Sequence, residues 1–285
     1  MPDFSQILLT VDYDRTLTAP DSTIPTRNLE AIRYFMDNGG AFTVNTGRSV
    51  PMSAYNLIPV VPVNAPLLLY NGSAAYDVTG GRFTRYDPID LDPAVVLRDL
   101  QDRFPQLHVE IQAVDAHYLL HPDAGWEAYS VHNHCAWGYC DPKDTPRPFL
   151  KFALNGQFRE PTVASMYEAT EAELALFARA VAYVEEAYGD RVDVFRACPR
   201  IADVHAKGVS KLVSARKLQK ELGRRILVCV GDAENDIHML DGADYAFCPR
   251  DGRVADRYEN VCACAEGAVA DVIYEKIPAI VAKQP

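Results

Sequence analysis

The chain has 285 residues, 48% hydrophobic and 24% charged, and its 28 Lys and Arg against 39 Asp and Glu give a formal net charge of −11. This apolar content excludes a disordered chain, and no apolar run approaches the ~20 residues of a membrane-spanning helix. The acidic balance argues against nonspecific binding to nucleic acid or to an anionic membrane. Seven cysteines in a chain of this size, and first residues without a basic and apolar leader, predict a cytoplasmic protein with mostly reduced thiols.

Short apolar runs alternate with an amphipathic segment in the first part of the chain. Residues 7–11 (ILLTV) predict a strand buried on both faces. The apolar positions of residues 26–36 predict a helix that ends near Asn38, and residues 41–45 and 67–70 predict two further strands. A strand, a helix and a strand in this order predict right-handed crossovers and a parallel sheet.

The same rhythm returns near the C-terminus, with a predicted helix over residues 209–222 and predicted strands over residues 226–230 and 245–248. Polar clusters directly follow the first strand, the second strand and the strand over residues 226–230. Because ligands bind beyond the carboxyl ends of the strands in open parallel sheets, we expect these three clusters to form one site.

The pattern between about residues 83 and 203 is different. Its strand-like segments alternate in hydropathy, and two amphipathic helices are mixed in, one around Leu97 and one around Phe177. The predicted fold class is therefore α/β, with a Rossmann-like parallel-sheet core and an inserted α+β domain. The predicted core comprises residues 1–82 and 204–285, and the predicted insert comprises residues 83–203.

Two aspartates leave the end of the first strand in the pattern D-x-D-x-T, which runs from Asp12 through Asp14 to Thr16. A turn begins here, so the two carboxylates can diverge into different roles. Aspartate is also common in solvated turns after strands, and that interpretation stays open for this motif taken alone.

A second acidic cluster has the sequence GDAEND at residues 231–236. Asp232 and Asp236 lie close together if a helix begins between them. Beside Asp12 and Asp14 they would crowd like charges, which raises pKa values unless a divalent cation binds. An all-oxygen, carboxylate-rich site with room for water and a phosphate oxygen suits Mg²⁺. Capping of a helix N-terminus would explain one carboxylate of this cluster but not both.

Basic and hydroxyl side chains complete the candidate site. Lys211 stands in the first turn of the helix predicted over residues 209–222. A solvated lysine is the alternative, and Lys207 is a near neighbour that competes for the same role. Thr46 and Arg48 follow the second strand, where a hydroxyl, a backbone N–H and a guanidinium can bind a phosphate. An ordinary strand-to-helix cap is the alternative for these two residues.

The candidate site residues fall into four short motifs. In chain order these are Asp12-x-Asp14-x-Thr16, Thr46-Gly47-Arg48, Gly208-Val209-Ser210-Lys211 and Gly231-Asp232-x-x-Asn235-Asp236. In type and order this set resembles the motifs of the haloacid dehalogenase-like (HAD) phosphatases. The most similar branch is the Cof-type branch, in which an α/β cap is inserted after the second motif. The resemblance covers the core at both ends of the chain, whereas the insert agrees by its position and its mixture of strands and helices.

The resemblance implies a role for each acidic residue. Asp12 would be the nucleophile that attacks phosphorus to form an aspartyl-phosphate. Asp14 would act first as general acid and then as general base. The implied ligands of Mg²⁺ are Asp12, Asp14 through its backbone carbonyl, Asp232 and Asp236.

The resemblance also implies a set of residues that bind the phosphoryl group. Thr46 and Lys211 would contact the phosphoryl oxygens and belong to the catalytic set with Asp12 and Asp14. The implied phosphate-binding residues are Thr46, Gly47, Arg48, Lys211 and Asn235.

Arg15 departs from the family pattern, which usually has glycine between Asp14 and Thr16. Glycine relieves the backbone of this tight turn. We expect Arg15 to adopt the turn under strain, to point to solvent or to contact substrate, and we expect catalysis to be undamaged.

The function favoured by these motifs is Mg²⁺-dependent hydrolysis of phosphate monoesters of small metabolites, with a sugar phosphate as the default substrate. A phosphosugar mutase of the phosphomannomutase type is one alternative, and a non-catalytic phosphate-binding module is another. The second carboxylate, Asp14, argues against the binding module. The insert is expected to close over the core as a lid that selects the substrate. The sequence predicts neither the identity of the substrate nor the oligomeric state.

One cluster of the insert belongs to none of these motifs. His132, His134, Cys135 and Cys140 lie within the stretch HNHCAWGYC. The paired C-x-x-C spacing of a zinc site is absent, so zinc is only weakly indicated. The tryptophans and tyrosines around this stretch favour either a surface that contacts substrate or the hydrophobic core of the insert.

Overall fold

The structure, a computed structural model, describes residues 2–156 and 169–283 and divides the chain into two units. Unit 1 consists of Met1–Gly47, Val60–Arg85 and Ser210–Pro285, and unit 2 consists of Arg48–Pro59 and Tyr86–Val209. The sequence analysis assigned residues 48–59 to the core, whereas here they group with unit 2. Residues 157–168 of the predicted insert lie outside the described residues. That residues 83–203 act as a cap stays a prediction.

Strands and helices are interspersed along the described residues, and several strands follow one another directly. In chain order the strands are β1 (Ile7–Val11), β2 (Ala41–Val44), β3 (Leu67–Leu69), β4 (Ala74–Asp77), β5 (Arg82–Tyr86), β6 (His108–Gln112), β7 (His117–Leu119), β8 (Trp137–Tyr139), β9 (Lys151–Asn155), β10 (Val192–Cys198), β11 (Ile201–Ala206), β12 (Ile226–Val230), β13 (Tyr245–Pro249) and β14 (Glu259–Val261). The α-helices are α1 (Thr26–Asp37), α2 (Val50–Ser53), α3 (Pro93–Arg103), α4 (Ala124–His132), α5 (Glu171–Tyr188), α6 (Lys211–Glu221), α7 (Ile237–Asp241), α8 (Ala268–Asp271) and α9 (Ile277–Val281).

Unit 1 is built on a five-stranded parallel sheet with the order β14-β13-β12-β1-β2. Every residue of β1 and β12 is buried, as their unbroken apolar runs predict for central strands of a parallel sheet. On one face Leu8, Leu227 and Cys229 pack against α6 and α7. This sheet, together with the α+β unit described below, confirms the predicted α/β fold class.

The strand predicted over residues 67–70 does not continue the parallel sheet. β3 pairs antiparallel with β4 in a separate three-stranded sheet, and only a single parallel bridge between Asn45 and Leu68 joins it to the end of β2. The physical reason is a tight turn, because Tyr70, Asn71 and Gly72 all have positive φ and reverse the chain directly after β3.

Unit 2 contains a six-stranded sheet with the order β10-β11-β9-β6-β7-β8, in which only the β7–β8 pair is parallel. One face of the sheet is apolar and packs against α3 and α5. The predicted amphipathic helices supply this packing through Leu97 and Phe177. The opposite side chains of the central strands are polar and buried, and they include His108, Glu110, Lys151, Asn155, Asp203 and His205.

The sequence analysis did not predict α4, because residues 124–132 carry a weak pattern dominated by aromatic side chains. Asp123 begins this helix by accepting hydrogen bonds from the backbone N–H groups of Gly125 and Trp126. None of the helices in the described residues combines the length and the hydropathy that crossing a membrane requires.

Candidate active site

Three polar segments of unit 1 meet at one edge of the parallel sheet. β1 lies between β2 and β12, and the three strands run parallel, so their carboxyl ends are neighbours. Asp12 directly follows β1, Thr46 follows β2, and Asp232 follows β12. The neighbouring strand ends expected from the sequence are therefore present in the structure.

Lys211 connects two of the aspartates. Its ammonium nitrogen Nζ lies 2.7 Å from Oδ1 of Asp12 and 2.7 Å from Oδ1 of Asp236, and all three side chains are buried. Lys211 is the first residue of α6, which Ser210 caps by accepting the N–H of Val213. Helix α6 thus starts two residues later than predicted, and its first residue presents its side chain to the carboxylates.

The turn after β12 fixes Asp232 and Asp236. Oδ2 of Asp236 accepts the backbone N–H groups of Asp232 at 3.1 Å and Ala233 at 3.3 Å, and Asp232 Oδ1 accepts the hydroxyl of Thr16 at 3.1 Å. Gly231 is required here, since a Cβ atom at this position would lie 2.6 Å from the Cβ of Asp236. Asp236 therefore caps the turn and also binds Lys211, so capping and site roles are not alternatives for this residue.

The three carboxylates form a candidate metal site. One carboxylate oxygen each from Asp12, Asp232 and Asp236 lie within 4.8 Å of one another, and no other group of three such ligands occurs in the part of the chain that the structure describes. Burial and the charge of Asp236 raise the pKa of Asp12 to about 7 and that of Asp232 to about 8. Three buried carboxylates against one ammonium leave an excess of negative charge, and an all-oxygen donor set of this kind fits a divalent cation such as Mg²⁺.

Asp14 and Arg15 lie in the turn Tyr13–Leu17, directly after Asp12, and the backbone of both residues is non-helical. Asp14 is half-buried, and its charge contributes to the raised pKa of Asp12. Arg15 has φ 59° and ψ 9°, the left-handed conformation that glycine adopts without strain. The strained turn expected for Arg15 is therefore present, and its backbone N–H donates to the hydroxyl of Thr18 at 3.1 Å.

Thr46 and Gly47 sit against the turn that follows β3. The Thr46 N–H donates to the carbonyl of Leu68, and the Thr46 carbonyl accepts the N–H of Asn71, both at 2.9 Å. A Cβ atom at Gly47 would lie 2.8 Å from Oδ1 of Asn71, so a larger residue here would require the Asn71 side chain to move. Thr46 and Gly47 are thereby held at the sheet edge in unit 1.

The sequence analysis missed two residues that build the site. Asn45 donates from Nδ2 to the backbone carbonyl of Lys211 at 2.9 Å, and so ties the end of β2 to the start of α6. Gly72, with φ 97°, lets the turn approach α6, because a Cβ there would lie 2.5 Å from the carbonyl oxygen of Ser210. A polar residue at the end of a buried strand and an Asn-Gly pair are the signals that could have indicated them.

Two predicted site residues, Arg48 and Asn235, and the alternative lysine Lys207 remain to be placed. Arg48 belongs to unit 2, where its Nη1 donates to the carbonyl of Met52 and to Oδ1 of Asn56. Asn235 is half-buried in the 3₁₀ turn Glu234–Asp236. Lys207, the competitor of Lys211, lies in unit 2 and binds Asp193 at 2.7 Å.

The cluster of histidines and cysteines in unit 2 forms no group of metal ligands within the described ranges. His132 ends α4, His134 stacks on Tyr55 with ring centroids 3.9 Å apart, and the thiols of Cys135 and Cys140 face backbone carbonyls. Trp126 is buried beside Leu119 in a hydrophobic cluster. For this residue the structure agrees with the interpretation as hydrophobic core of the insert.

A family model described as haloacid dehalogenase-like hydrolase matches residues 9–255 of this chain. The match spans all four motifs, and it confirms the family resemblance predicted from them, including its Cof-type branch.

Solved structures show the same fold at low sequence identity. A haloacid dehalogenase-like hydrolase from B. subtilis is 17% identical with a TM-score of 0.76, and the alignment covers 94% of this chain and 99% of that one. A HAD/COF-like hydrolase from Plasmodium vivax is 20% identical with a TM-score of 0.71 and coverage of 95% of each chain. The HAD subclass IIB sugar phosphatase BT4131 is 16% identical with a TM-score of 0.73, covering 95% of this chain and 99% of that one.

Proposed function

Because the chain belongs to the haloacid dehalogenase-like hydrolase family, we propose that it is a Mg²⁺-dependent phosphatase that hydrolyses phosphate monoesters through an aspartyl-phosphate. The observation that carries this proposal is the buried cluster of Asp12, Asp232 and Asp236 around the ammonium group of Lys211. Phosphoryl transfer needs a positioned nucleophile and compensated charge more than any other group. Asp12 supplies the nucleophile, and Lys211 compensates part of the negative charge of the carboxylates.

Asp12 is the proposed nucleophile. A carboxylate oxygen of Asp12 attacks phosphorus, the bond from phosphorus to the ester oxygen breaks, and the carboxyl group of Asp14 gives its proton to the departing alkoxide. The ammonium group of Lys211 reduces the repulsion between the Asp12 carboxylate and the phosphoryl group of the substrate, because it offsets the negative charge of both.

The second step releases phosphate. Asp14, now a carboxylate, takes a proton from a water molecule whose oxygen attacks the phosphorus of the aspartyl-phosphate. The bond between phosphorus and the Asp12 oxygen breaks, which restores the Asp12 carboxylate and frees inorganic phosphate. Thr46 and Gly47 lie at the same sheet edge as Asp12, and we assign them contacts to the phosphoryl oxygens.

Mg²⁺ would be held by Asp12, Asp232, Asp236 and the backbone carbonyl of Asp14. When bound, it would supply the positive charge that lets the negatively charged phosphate approach the buried carboxylates. This assignment is supported by the oxygen-only donor set and by the excess negative charge of the cluster.

The substrate class we propose is a small phosphorylated metabolite, with sugar phosphates first. The fold shared with the sugar phosphatase BT4131 supports this choice.

The test is release of phosphate from an aryl phosphate by the purified protein, with Mg²⁺ and with a chelator, beside the variant Asp12→Asn. We expect release only with metal, a loss of at least about a thousandfold in the variant, and a phosphorylated protein in wild type that the variant lacks. Turnover by Asp12→Asn near the wild-type rate would refute the assignment. A phosphoenzyme that turns over only with a sugar bisphosphate present would establish the mutase instead.

A further inference from the structure

Ser49, His117 and Glu110 form a buried chain of hydrogen bonds within unit 2. Oγ of Ser49 lies 2.6 Å from Nε2 of His117, and Nδ1 of His117 donates to Oε1 of Glu110. The other carboxylate oxygen of Glu110 accepts Nδ2 of Asn155 at 3.2 Å. All four side chains are at least nine-tenths buried, and none of them belongs to the four motifs.

This order of groups is that of a serine nucleophile, its base and an orienting acid, but the surroundings exclude that use. Ser49 is fully buried, and its hydroxyl oxygen already accepts the backbone N–H of Met52 at 3.1 Å. Burial lowers the pKa of His117, yet the charge of Glu110 and hydrogen bonds with Cys135 and Glu110 outweigh it and raise this pKa to about 9. The imidazolium therefore donates to Ser49 and cannot remove its proton near neutral pH.

Ser49 lies at the start of the segment that follows Gly47 in the chain. It is the N-cap of α2 (Val50–Ser53). The guanidinium of Arg48 donates to the carbonyl of Met52 at 3.4 Å and to Oδ1 of Asn56 at 3.3 Å. The side chain of Arg48 is therefore hydrogen-bonded to the segment that Ser49 starts.

We propose that His117 and Glu110 are positioning residues that hold Ser49 in place. Through Ser49 they fix residues 48–53, the segment that contains Arg48 and directly follows Thr46 and Gly47 in the chain. Their effect on turnover rests on the proposed phosphatase function, whereas their effect on the order of this segment does not. The charged pair suits this task because a charge-assisted hydrogen bond is shorter and stronger than a neutral one.

Unit 2 offers a matched control for this proposal. Ser53 is as buried as Ser49 and lies on the same short helix, but its hydroxyl has no hydrogen-bond partner among residues 2–156 and 169–283. Ser53→Ala removes the same atom from the same segment without touching His117.

The experiment compares wild type with Ser49→Ala, with the double variant Glu110→Gln/His117→Gln, and with Ser53→Ala. The double variant removes both charges together, so no unpaired buried charge remains to unfold the protein. Amide hydrogen exchange of residues 47–53 is measured by mass spectrometry, and KM and kcat are measured with an aryl phosphate and Mg²⁺. We expect faster exchange and a KM raised about three- to tenfold, with a smaller change in kcat, in the first two variants only.

Unchanged exchange in Ser49→Ala and in the double variant overturns the proposal, as does equal acceleration in Ser53→Ala. Faster exchange without a change in KM overturns the positioning role in the reaction. If wild type releases no phosphate, the proposed function fails on its own account, and the exchange of residues 47–53 alone decides whether His117 and Glu110 hold the segment.

Discussion

Lys211 and Asp12 stand 199 positions apart in the chain, and the ammonium nitrogen of one lies 2.7 Å from a carboxylate oxygen of the other. Burial lowers the pKa of Lys211, but the charges of Asp12 and Asp236 outweigh this and raise the pKa above its ordinary value. Lys211 is therefore a permanent cation among the carboxylates. It joins Asp12, at the end of β1, to the start of α6, the first helix of unit 1 after the chain leaves unit 2.

Replacing Lys211 tests this link. Lys211→Ala is expected to lose at least about a hundredfold in kcat/KM and to lower the free energy of unfolding by about 3 kcal/mol, because it leaves buried carboxylates without their cation. Lys207→Ala is the matched control, since Lys207 is half-exposed and its pair with Asp193 is worth less than about 1 kcal/mol. Phosphate release and urea denaturation are the measurements. A larger loss in Lys207→Ala would move the catalytic lysine by four residues.

Mg²⁺ binding is testable apart from turnover. If the carboxylate cluster binds the ion, saturating Mg²⁺ is expected to raise Tm by about 5 °C, because binding to the folded state alone stabilises it. Asp232→Asn removes one ligand and is expected to lose most of this shift. Asp256→Asn, a change at an exposed aspartate of unit 1, is expected to keep it. Equal shifts in both variants would contradict the assignment of Asp232.

Asp14→Asn separates the acid from the base. The variant cannot donate a proton, so hydrolysis of an alkyl phosphate is expected to fall by about a hundredfold to ten-thousandfold. A phosphate ester of an acidic phenol needs little help to leave, so formation of the aspartyl-phosphate from it is expected to be slowed much less. The variant should then accumulate phosphorylated protein, which is measured by intact mass. A similar loss with both substrates and no accumulation would exclude the acid and base roles.

Arg15→Gly tests the strain in the turn after Asp12. Arg15 has φ 59°, and the left-handed conformation costs a residue with a side chain about 1–2 kcal/mol, part of which the flexibility of glycine in the unfolded chain cancels. We expect a gain of about 0.5 kcal/mol in the free energy of unfolding and unchanged kcat. Arg33→Gly, in the middle of α1, is the control and is expected to lose about 1 kcal/mol. Destabilisation by Arg15→Gly would show that the arginine side chain makes a stabilising contact.

The His117–Glu110 pair predicts a dependence of stability on pH. The pKa of His117 is raised from 6.5 to about 9, so its contribution is complete below pH 6.5 and is lost as pH rises to about 9. The pKa of Glu110 is lowered from 4.5 to about 2, because the charge of His117 outweighs the effect of burial, so its contribution is complete above pH 4.5 and is lost as pH falls to about 2.

The free energy of unfolding of wild type is therefore expected to exceed that of Glu110→Gln/His117→Gln by the largest amount between pH 4.5 and pH 6.5, and by less at about pH 9. Urea denaturation of both proteins across this range measures the difference, and His108, which also faces Glu110, is present in both. A difference that is constant from about pH 5.5 to pH 9 would contradict the ion pair.

The sequence determined those features that depend on local patterns. Unbroken apolar runs at residues 7–11 and 226–230 predicted central parallel strands, because a strand covered on both faces has no polar side. The short motifs after these strands predicted which carboxylates would meet, since parallel strands bring their carboxyl ends to one edge. A strained turn at Arg15 was one of the outcomes predicted, because glycine usually occupies that place in the family.

Only the tertiary structure decided the contacts between segments distant in the chain. From the sequence, Lys207 and Lys211 were both candidates for the lysine of the site. Because Ser210 caps α6, Lys211 is its first residue, and Lys211 rather than Lys207 contacts Asp12. The buried chain from Glu110 through His117 to Ser49 has no local pattern at all. Strands β6 and β7 and helix α2 must come together before these side chains meet. The ion pair offsets the cost of burying its two charges only after both partners are in place.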